Sequence, residues 1–369
     1  MRILVTVPWG ERLGGAEAML QMVLDGAREA GHEFELVFLQ DGPWVRELAQ
    51  AGFAVHVVPV GRLRQAHRTL LALPRLARIM RRSGPDVIVN WSAKTQIYGA
   101  PAALLAGLSD RVVWWQQVIP RGHWIDRAAT ALPAIAVVCY SQAAAREQAR
   151  MRPHRPTIVI AAGTPVPAPV RGRPALELPG GVPVIGLVGR LQQWKGQDRL
   201  LRAQQILAER GVRTHVLIVG GDSYGLEPDY ARSLKPLSEQ LGLADAVTMT
   251  GEVPDASPYI ERMDVLVNAS DPEPFGIVLL EAMARGVAVA AVASGGPAEF
   301  IEDGRTGMLA RSGSPADLAD ALEPLLRSPD KRWTIGAAGH KRFLEEFTDA
   351  AMRDRFFFQI NKLINEKKD

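Results

Sequence analysis

The feature that most constrains the fold is an alternation that stops and then begins again. Apolar runs at 3–7, 36–39, 55–58, 87–89, 112–115 and 135–140 are separated by longer stretches with helical spacing. Strands alternating with helices in this way form parallel sheets covered by helices. A Pro- and Gly-rich segment, AAGTPVPAPVRGRPALELPGGVP, interrupts the pattern at 161–183 and reads as an interdomain linker. The alternation resumes at 184–188, 216–219, 247–250, 265–268 and 288–292. The expected fold class is therefore α/β, with two doubly wound domains whose ligands sit outside the carboxyl ends of the strands. The length, 369 residues, agrees, since single cores stop growing below that size. The expected divisions are a first domain over 1–165, a linker over 166–183, a second domain over 184–345 and a terminal helix over 346–369.

Composition removes several function classes. With 47% hydrophobic and 22% charged residues the chain is not of the disordered type. Its single cysteine, Cys139, lies in the apolar run AIAVVCY, so a buried thiol is expected and neither a disulfide nor a cysteine zinc cluster can form within the chain. The start, MRILVTVPWG, lacks the form of a signal peptide, and no run reaches the ~18 apolar residues of a membrane span, so a cytoplasmic enzyme is expected. A net charge of +3 without a recognition motif argues against nucleic acid as partner. No two glycines stand one residue apart, which excludes the dinucleotide fingerprint, and no glycine precedes a lysine, which excludes the phosphate-binding P-loop. Asp-x-Asp is absent, and HEFEL at 32–36 lacks the second histidine of a zinc protease helix. What survives is a two-domain nucleotide binder that needs no metal.

The segment DPEPFGIVLLEAMARG, 271–286, sets two carboxylates, Glu273 and Glu281, eight positions apart. Pro274 keeps Glu273 extended, while 277–285 reads helical, so one acid lies in a loop and the other about a turn inside a helix. The helix start near Phe275, Gly276 and Ile277 offers free N–H groups and a positive dipole end, suited to a phosphate. Upstream, VGRLQQWKGQDRL ends a strand at Val188 and follows it with Gly189, Arg190 and Lys195. Arginine as a planar fork and lysine as a point charge can together neutralise a diphosphate.

These segments resemble the retaining glycosyltransferases of family 4, whose GT-B fold carries a Glu-x7-Glu signature. The resemblance implies two Rossmann-like domains facing a cleft, the first on the acceptor side, with the last helix crossing back onto it. It also implies a nucleotide-diphosphate sugar as donor, a hydroxyl acceptor, no metal, and retention by a front-face path in which the leaving diphosphate helps deprotonate the acceptor. Arg190 and Lys195 are then expected to hold the diphosphate, Glu273 the sugar hydroxyls and Glu281 the ribose. Gly14 and Gly15 of PWGERLGGAEAML resemble the family's amino-terminal glycine pair against the donor, and Glu252 and Val253 fall where the family has its nucleobase pocket. One departure stands out. Family members commonly carry a histidine after a first-domain strand, whereas RVVWW is followed here by Gln116 and Gln117. Glutamine cannot carry a proton near neutral pH, so the position falls either to Gln117 as a positioning group or to His123 of RGHWID.

The acceptor is not legible. Arg62 to Arg82 contains seven arginines and no acid. On a helix Arg64, Arg68, Arg75, Arg78 and Arg82 share a face opposite Leu70, Leu73, Leu76 and Met80, with Pro74 disturbing its straightness. This is either a solvated basic face or a peripheral contact with an anionic inner membrane surface. Other functions on the same frame are a sugar-nucleotide epimerase, a phosphorylase, or a two-domain protein that binds sugar without catalysis.

Overall fold

The computed structural model describes residues 1–12, 14–27, 29–61, 66–168, 176–222 and 225–366, the side chains of 66–70 excepted. It comprises two compact units, Met1–Ala162 together with Asp349–Asp369, and Gly163–Thr348. Each is an α/β domain built on one parallel sheet.

Unit 1 runs β1 (Arg2–Val7), α1 (Gly15–Asp25), β2 (Glu33–Phe38), α2 (Pro43–Gln50), β3 (Ala54–Val57), α3 (Ala66–Ser83), β4 (Val87–Asn90), α4 (Ala93–Ala106), β5 (Val112–Gln116), α5 (Trp124–Ala131), β6 (Ala136–Cys139), α6 (Gln142–Met151) and β7 (Thr157–Val159). Its strands lie in the order β3-β2-β1-β4-β5-β6-β7, so the direction of winding reverses between β1 and β4. Ile3 to Val7 and the whole of β4, β5 and β6 are buried, the continuous burial expected of strands covered on both faces. Beneath the reversal point, Thr6 donates to Asn90 Oδ1 at 2.6 Å, and Asn90 Nδ2 donates to Gln96 of α4 at 2.8 Å. Fully buried polar groups of this kind keep the fold only when paired, as these are.

Unit 2 runs β8 (Val184–Val188), α7 (Gln197–Glu209), β9 (His215–Val219), α8 (Pro228–Gln240), β10 (Val247–Met249), α9 (Ser257–Ile260), β11 (Val265–Asn268), α10 (Ile277–Met283), β12 (Ala288–Val292), α11 (Pro297–Phe300), β13 (Met308–Ala310), α12 (Pro315–Arg327) and α13 (Pro329–Glu346). The order is β10-β9-β8-β11-β12-β13, with the reversal between β8 and β11. The last helix, α14 (Asp349–Asn365), belongs to unit 1, where Phe356 stacks on Trp115 at 5.7 Å and Phe357 meets His32 at 4.6 Å.

The strands β7 and β13 have no counterpart in the runs read from the sequence. Each has three residues at a sheet edge, as does β10, which is read from its run at 247–250. Cys139 is fully buried, and burial pushes its thiol up to about 12, leaving it inert. Of the basic segment, Arg62 and Arg64 lie outside the described residues, as do the side chains of Arg68 and Leu70. Leu76 and Met80 of α3 are buried while Arg75, Arg78 and Arg82 are exposed. The interdomain segment is described over 163–168 and 176–183, and Thr164 N donates to Phe347 O at 3.0 Å. Among the described residues no helix is long and apolar enough to cross a membrane.

Candidate active site

In open parallel sheets ligands sit outside the carboxyl ends of the strands, in the crevice where winding reverses. In unit 2 that is the β8/β11 junction, and Gly189, Arg190, Lys195 and Glu273, singled out in the sequence, collect there. Beyond β8 come Gly189 and Arg190, then a single 3-10 turn, Gln193–Lys195, ended by Gly196 in the left-handed region at φ 77°. Beyond β11 comes the loop that carries Glu273. The two loops are tied together: Asp271 N donates to the Trp194 carbonyl at 3.2 Å, as does Arg199 Nη2 at 2.8 Å.

At the centre Lys195 Nζ lies 2.9 Å from Glu273 Oε2 and 4.0 Å above the Trp194 ring. Glu273 is 6% exposed, and Asn268 Nδ2 at the end of β11 also donates to its Oε2, at 3.2 Å. Burial pushes the Glu273 carboxyl up, but the Lys195 charge and hydrogen bonds from Lys195, Asn268 and Ser270 outweigh it and hold the pKa below the ordinary value. Glu273 is thus an ionised carboxylate fixed in place. Its backbone is fixed as well, Gly296 N donating to Glu273 O at 2.9 Å. A Cβ on Gly296 would stand 2.4 Å from Phe275 Cα, so only glycine admits this approach. Asn268, Ser270 and Gly296 support the site and were not recognised as such in the sequence; the signal was their place at strand ends and in the SGGP loop.

The Arg190 guanidinium is half-exposed and has no ion-pair partner among the described residues, while its carbonyl accepts from Gln197 Nε2 at 2.9 Å. Gly276, at φ 96°, caps α10, and no described group accepts from the N–H of Gly276 or Ile277. Phe275 is buried and stacks on Phe300 at 5.1 Å, so it shapes the loop rather than presenting a free face. Glu281 lies in α10, half-buried. Burial pushes its carboxyl up to about 7, Arg285 opposing and Asp255 adding to the shift. Glu252 is exposed and Val253 half-buried, following β10, where Gly220 N donates to Gly251 O at 3.0 Å.

In unit 1 the reversal lies at β1/β4. Gly14 caps α1 with an extended backbone, φ 172°, and Gly15 is its first residue; both are exposed. Gln116 ends β5 and is buried. Gln117 turns back, its Nε2 donating to the Trp91 carbonyl, which occupies one of its two donors. His123 is exposed at the start of α5, its backbone N–H donating to Asp126 Oδ2 at 3.3 Å. Among the described residues no cluster of three or more His, Cys, Asp or Glu side chains could hold a metal ion.

The β8/β11 junction thus brings together a cation, a buried carboxylate and amides that no described group accepts from, on a frame of two parallel-sheet domains. Residues 171–342 match the model for glycosyl transferases group 1 and residues 14–155 that for a glycosyl transferase 4-like domain, which together indicate a GT-B glycosyltransferase. The chain is 27% identical, over 93% of its length and 94% of the relative's, to the lipopolysaccharide core biosynthesis glycosyltransferase LpsE of Rhizobium meliloti. It is 38% identical to the D-inositol 3-phosphate glycosyltransferase of Corynebacterium aurimucosum, over 46% of this chain and 40% of that protein. Among solved structures, the fold matches Anabaena HepE in complex with UDP at TM-score 0.81, with 24% identity over 98% of this chain and 100% of that one. It also matches sucrose-phosphate synthase of Thermosynechococcus elongatus at TM-score 0.82, with 21% identity over 99% of each chain.

Proposed function

We infer that this glycosyltransferase moves a hexose from a UDP-sugar to a hydroxyl acceptor with retention of configuration and without a bound metal. The observation that carries the reading is the β8/β11 junction of unit 2, where Arg190, without an ion-pair partner among the described residues, and a Lys195 held by a fixed carboxylate both follow β8. The departing diphosphate gathers negative charge as the glycosidic bond breaks, and preorganised cations lower that barrier most. Arg190, Lys195 and the N–H groups of Gly276 and Ile277 meet this charge, a role that the absence of Asp-x-Asp from the sequence leaves to side chains rather than to a metal. Glu273 orients donor hydroxyls. Glu281, neutral or ionised near pH 7, accepts and donates to the ribose. The UDP carried by the fold neighbour HepE supports uracil as base, and the likeness to LpsE along nearly the whole chain supports a glycan hydroxyl as acceptor. Gln117 positions the acceptor side rather than transferring a proton, and His123 is the weaker candidate for that place. Peripheral contact with an anionic membrane belongs to the same reading, supported by exposed Arg75, Arg78 and Arg82 beside exposed Leu71 on α3.

A thermal-shift panel of UDP-, GDP-, ADP- and dTDP-sugars tests the donor. A ligand at ~100 times its Kd stabilises by about 2.7 kcal/mol, and UDP-sugars are expected to give the largest shift. Release of UDP only when an acceptor is added, undiminished by a chelator, is expected of the transferase. Conversion of the donor sugar with no acceptor would make it an epimerase, and binding without any turnover would make it a sugar-binding protein.

A further inference from the structure

The reversal point of unit 1 holds a cation that the donor chemistry does not use. Trp9 follows β1 and Lys94 follows β4, the two strands between which the winding reverses. Lys94 Nζ lies 3.9 Å from the centroid of the Trp9 ring. Among the described residues no carboxylate lies within ion-pair distance of it. The ammonium is half-buried, and desolvation lowers its pKa. Lys94 also stands in the first turn of α4, where the helix dipole disfavours a positive charge. Burial, helix position and lack of an acid thus all work against this lysine, and the indole face offsets only part of that. A local conflict of this kind, at the crevice where such sheets take ligands, marks a site that a ligand completes.

We propose that the β1/β4 junction of unit 1 binds the acceptor through an anionic oxygen group, a phosphate or carboxylate, received by Lys94 on its Trp9 support. This deepens, and rests on, the reading of the chain as a transferase with its donor held by unit 2. The acceptor is then a hydroxylated molecule bearing negative charge rather than a neutral sugar.

The test is calorimetric titration of glucose 6-phosphate, glucuronate and glucose into the protein saturated with UDP, for wild type, Lys94→Met and Lys94→Arg. Wild type is expected to bind one or both anions and to bind glucose at least roughly tenfold more weakly, since charge-assisted hydrogen bonds carry the recognition. Whether the phosphate or the carboxylate binds more tightly assigns the group. Lys94→Met, which keeps the apolar stem, is expected to lose roughly tenfold or more in anion affinity, and Lys94→Arg to keep most of it. Equal anion binding by Lys94→Met, or no preference of wild type for either anion over glucose, overturns the proposal. A parallel loss of UDP affinity in Lys94→Met also overturns it, because the lysine would then serve the donor. If UDP fails to bind wild type, the donor reading fails, and the same anion titration on the free protein still decides the role of Lys94.

Discussion

The two units each place a lysine beside the reversal point and answer it differently. In unit 2, Lys195 is countered by Glu273, itself buried and hydrogen-bonded, so the pair is complete before any ligand arrives. In unit 1, Lys94 is met by an indole and, among the described residues, by no acid. A buried charge pair is costly to break from one side, since the remaining ion has no water to turn to, whereas removing an unpaired half-buried cation leaves nothing stranded. The same residue type, on opposite sides of the two reversal points, should therefore be structural in one unit and dispensable for folding in the other.

The largest effect that would break this comparison is kinetic. Arg190→Ala is expected to lose about 2 to 4 kcal/mol of transition-state stabilisation, about 30- to 1000-fold in kcat/KM, read from initial rates of UDP release. Unchanged rates would remove unit 2 as the centre that stabilises the leaving group. Next in size, Lys195→Met should lower unfolding stability by about 2 to 3 kcal/mol. That is below the usual figure for a broken buried pair because the lysine side chain is 20% exposed. Adding Glu273→Gln should restore most of it, since no stranded charge remains. Denaturant midpoints of the single and double variants measure this, and a double variant no better than the single one would show that the pair is not coupled.

How far the sequence discloses all this depends on the scale of each feature. The two sheets were legible because fully buried parallel strands print unbroken apolar runs, as Val184 to Val188 and Val265 to Asn268 do, and because Pro and Gly cluster between the units. The edge strands β7 and β13 were not, although β10, an edge strand of the same length, was. The Glu273 and Glu281 spacing and the Arg190 to Lys195 segment could be picked out as candidate site segments from their loop and helix-start positions alone. The pairing of Lys195 with Glu273 could not, since 78 positions separate them and only the β8/β11 adjacency brings them together. Lys94 drew no notice for a related reason: it belongs to no motif, and its ring partner follows another strand. Glu281 illustrates a third limit, because its raised pKa comes from burial, which no spacing reports.

Glycines sharpen the contrast on a smaller scale. A Cβ at position 14 would meet nothing within 4 Å, and the extended backbone there suits any residue, so Gly14→Ala should change stability by no more than about 0.5 kcal/mol. Gly296→Ala must displace the Phe275 backbone, and a loss of about 1 to 3 kcal/mol is expected, with Glu273 moved along with it. If Gly14→Ala folds normally yet weakens UDP-sugar binding, the glycine serves the approach of a ligand and not the fold. If both variants unfold alike, the distinction between a packed unit 2 loop and an open unit 1 loop is lost.

The remaining expected effect concerns pH. Because burial raises the Glu281 carboxyl to about 7, the folded protein binds that proton more tightly than the unfolded chain does. The penalty of ionising it is absent below the ordinary carboxylate range, near pH ~4.5, grows as pH rises toward 7, and levels off above that. Wild type should therefore lose stability relative to Glu281→Gln between about pH 4.5 and about pH 7, and the difference should hold level above that. Lys94 carries the opposite sign, since its depressed ammonium pKa means that the folded state releases that proton more readily. Lys94→Met should remove a small destabilisation that is present at neutral pH and fades only as the lysine is titrated at alkaline pH. Stability curves of the two variants that run parallel to wild type across the whole range would mean that neither group is held away from solvent, and the contrast between the two junctions would then rest on the Lys195 to Glu273 pair alone.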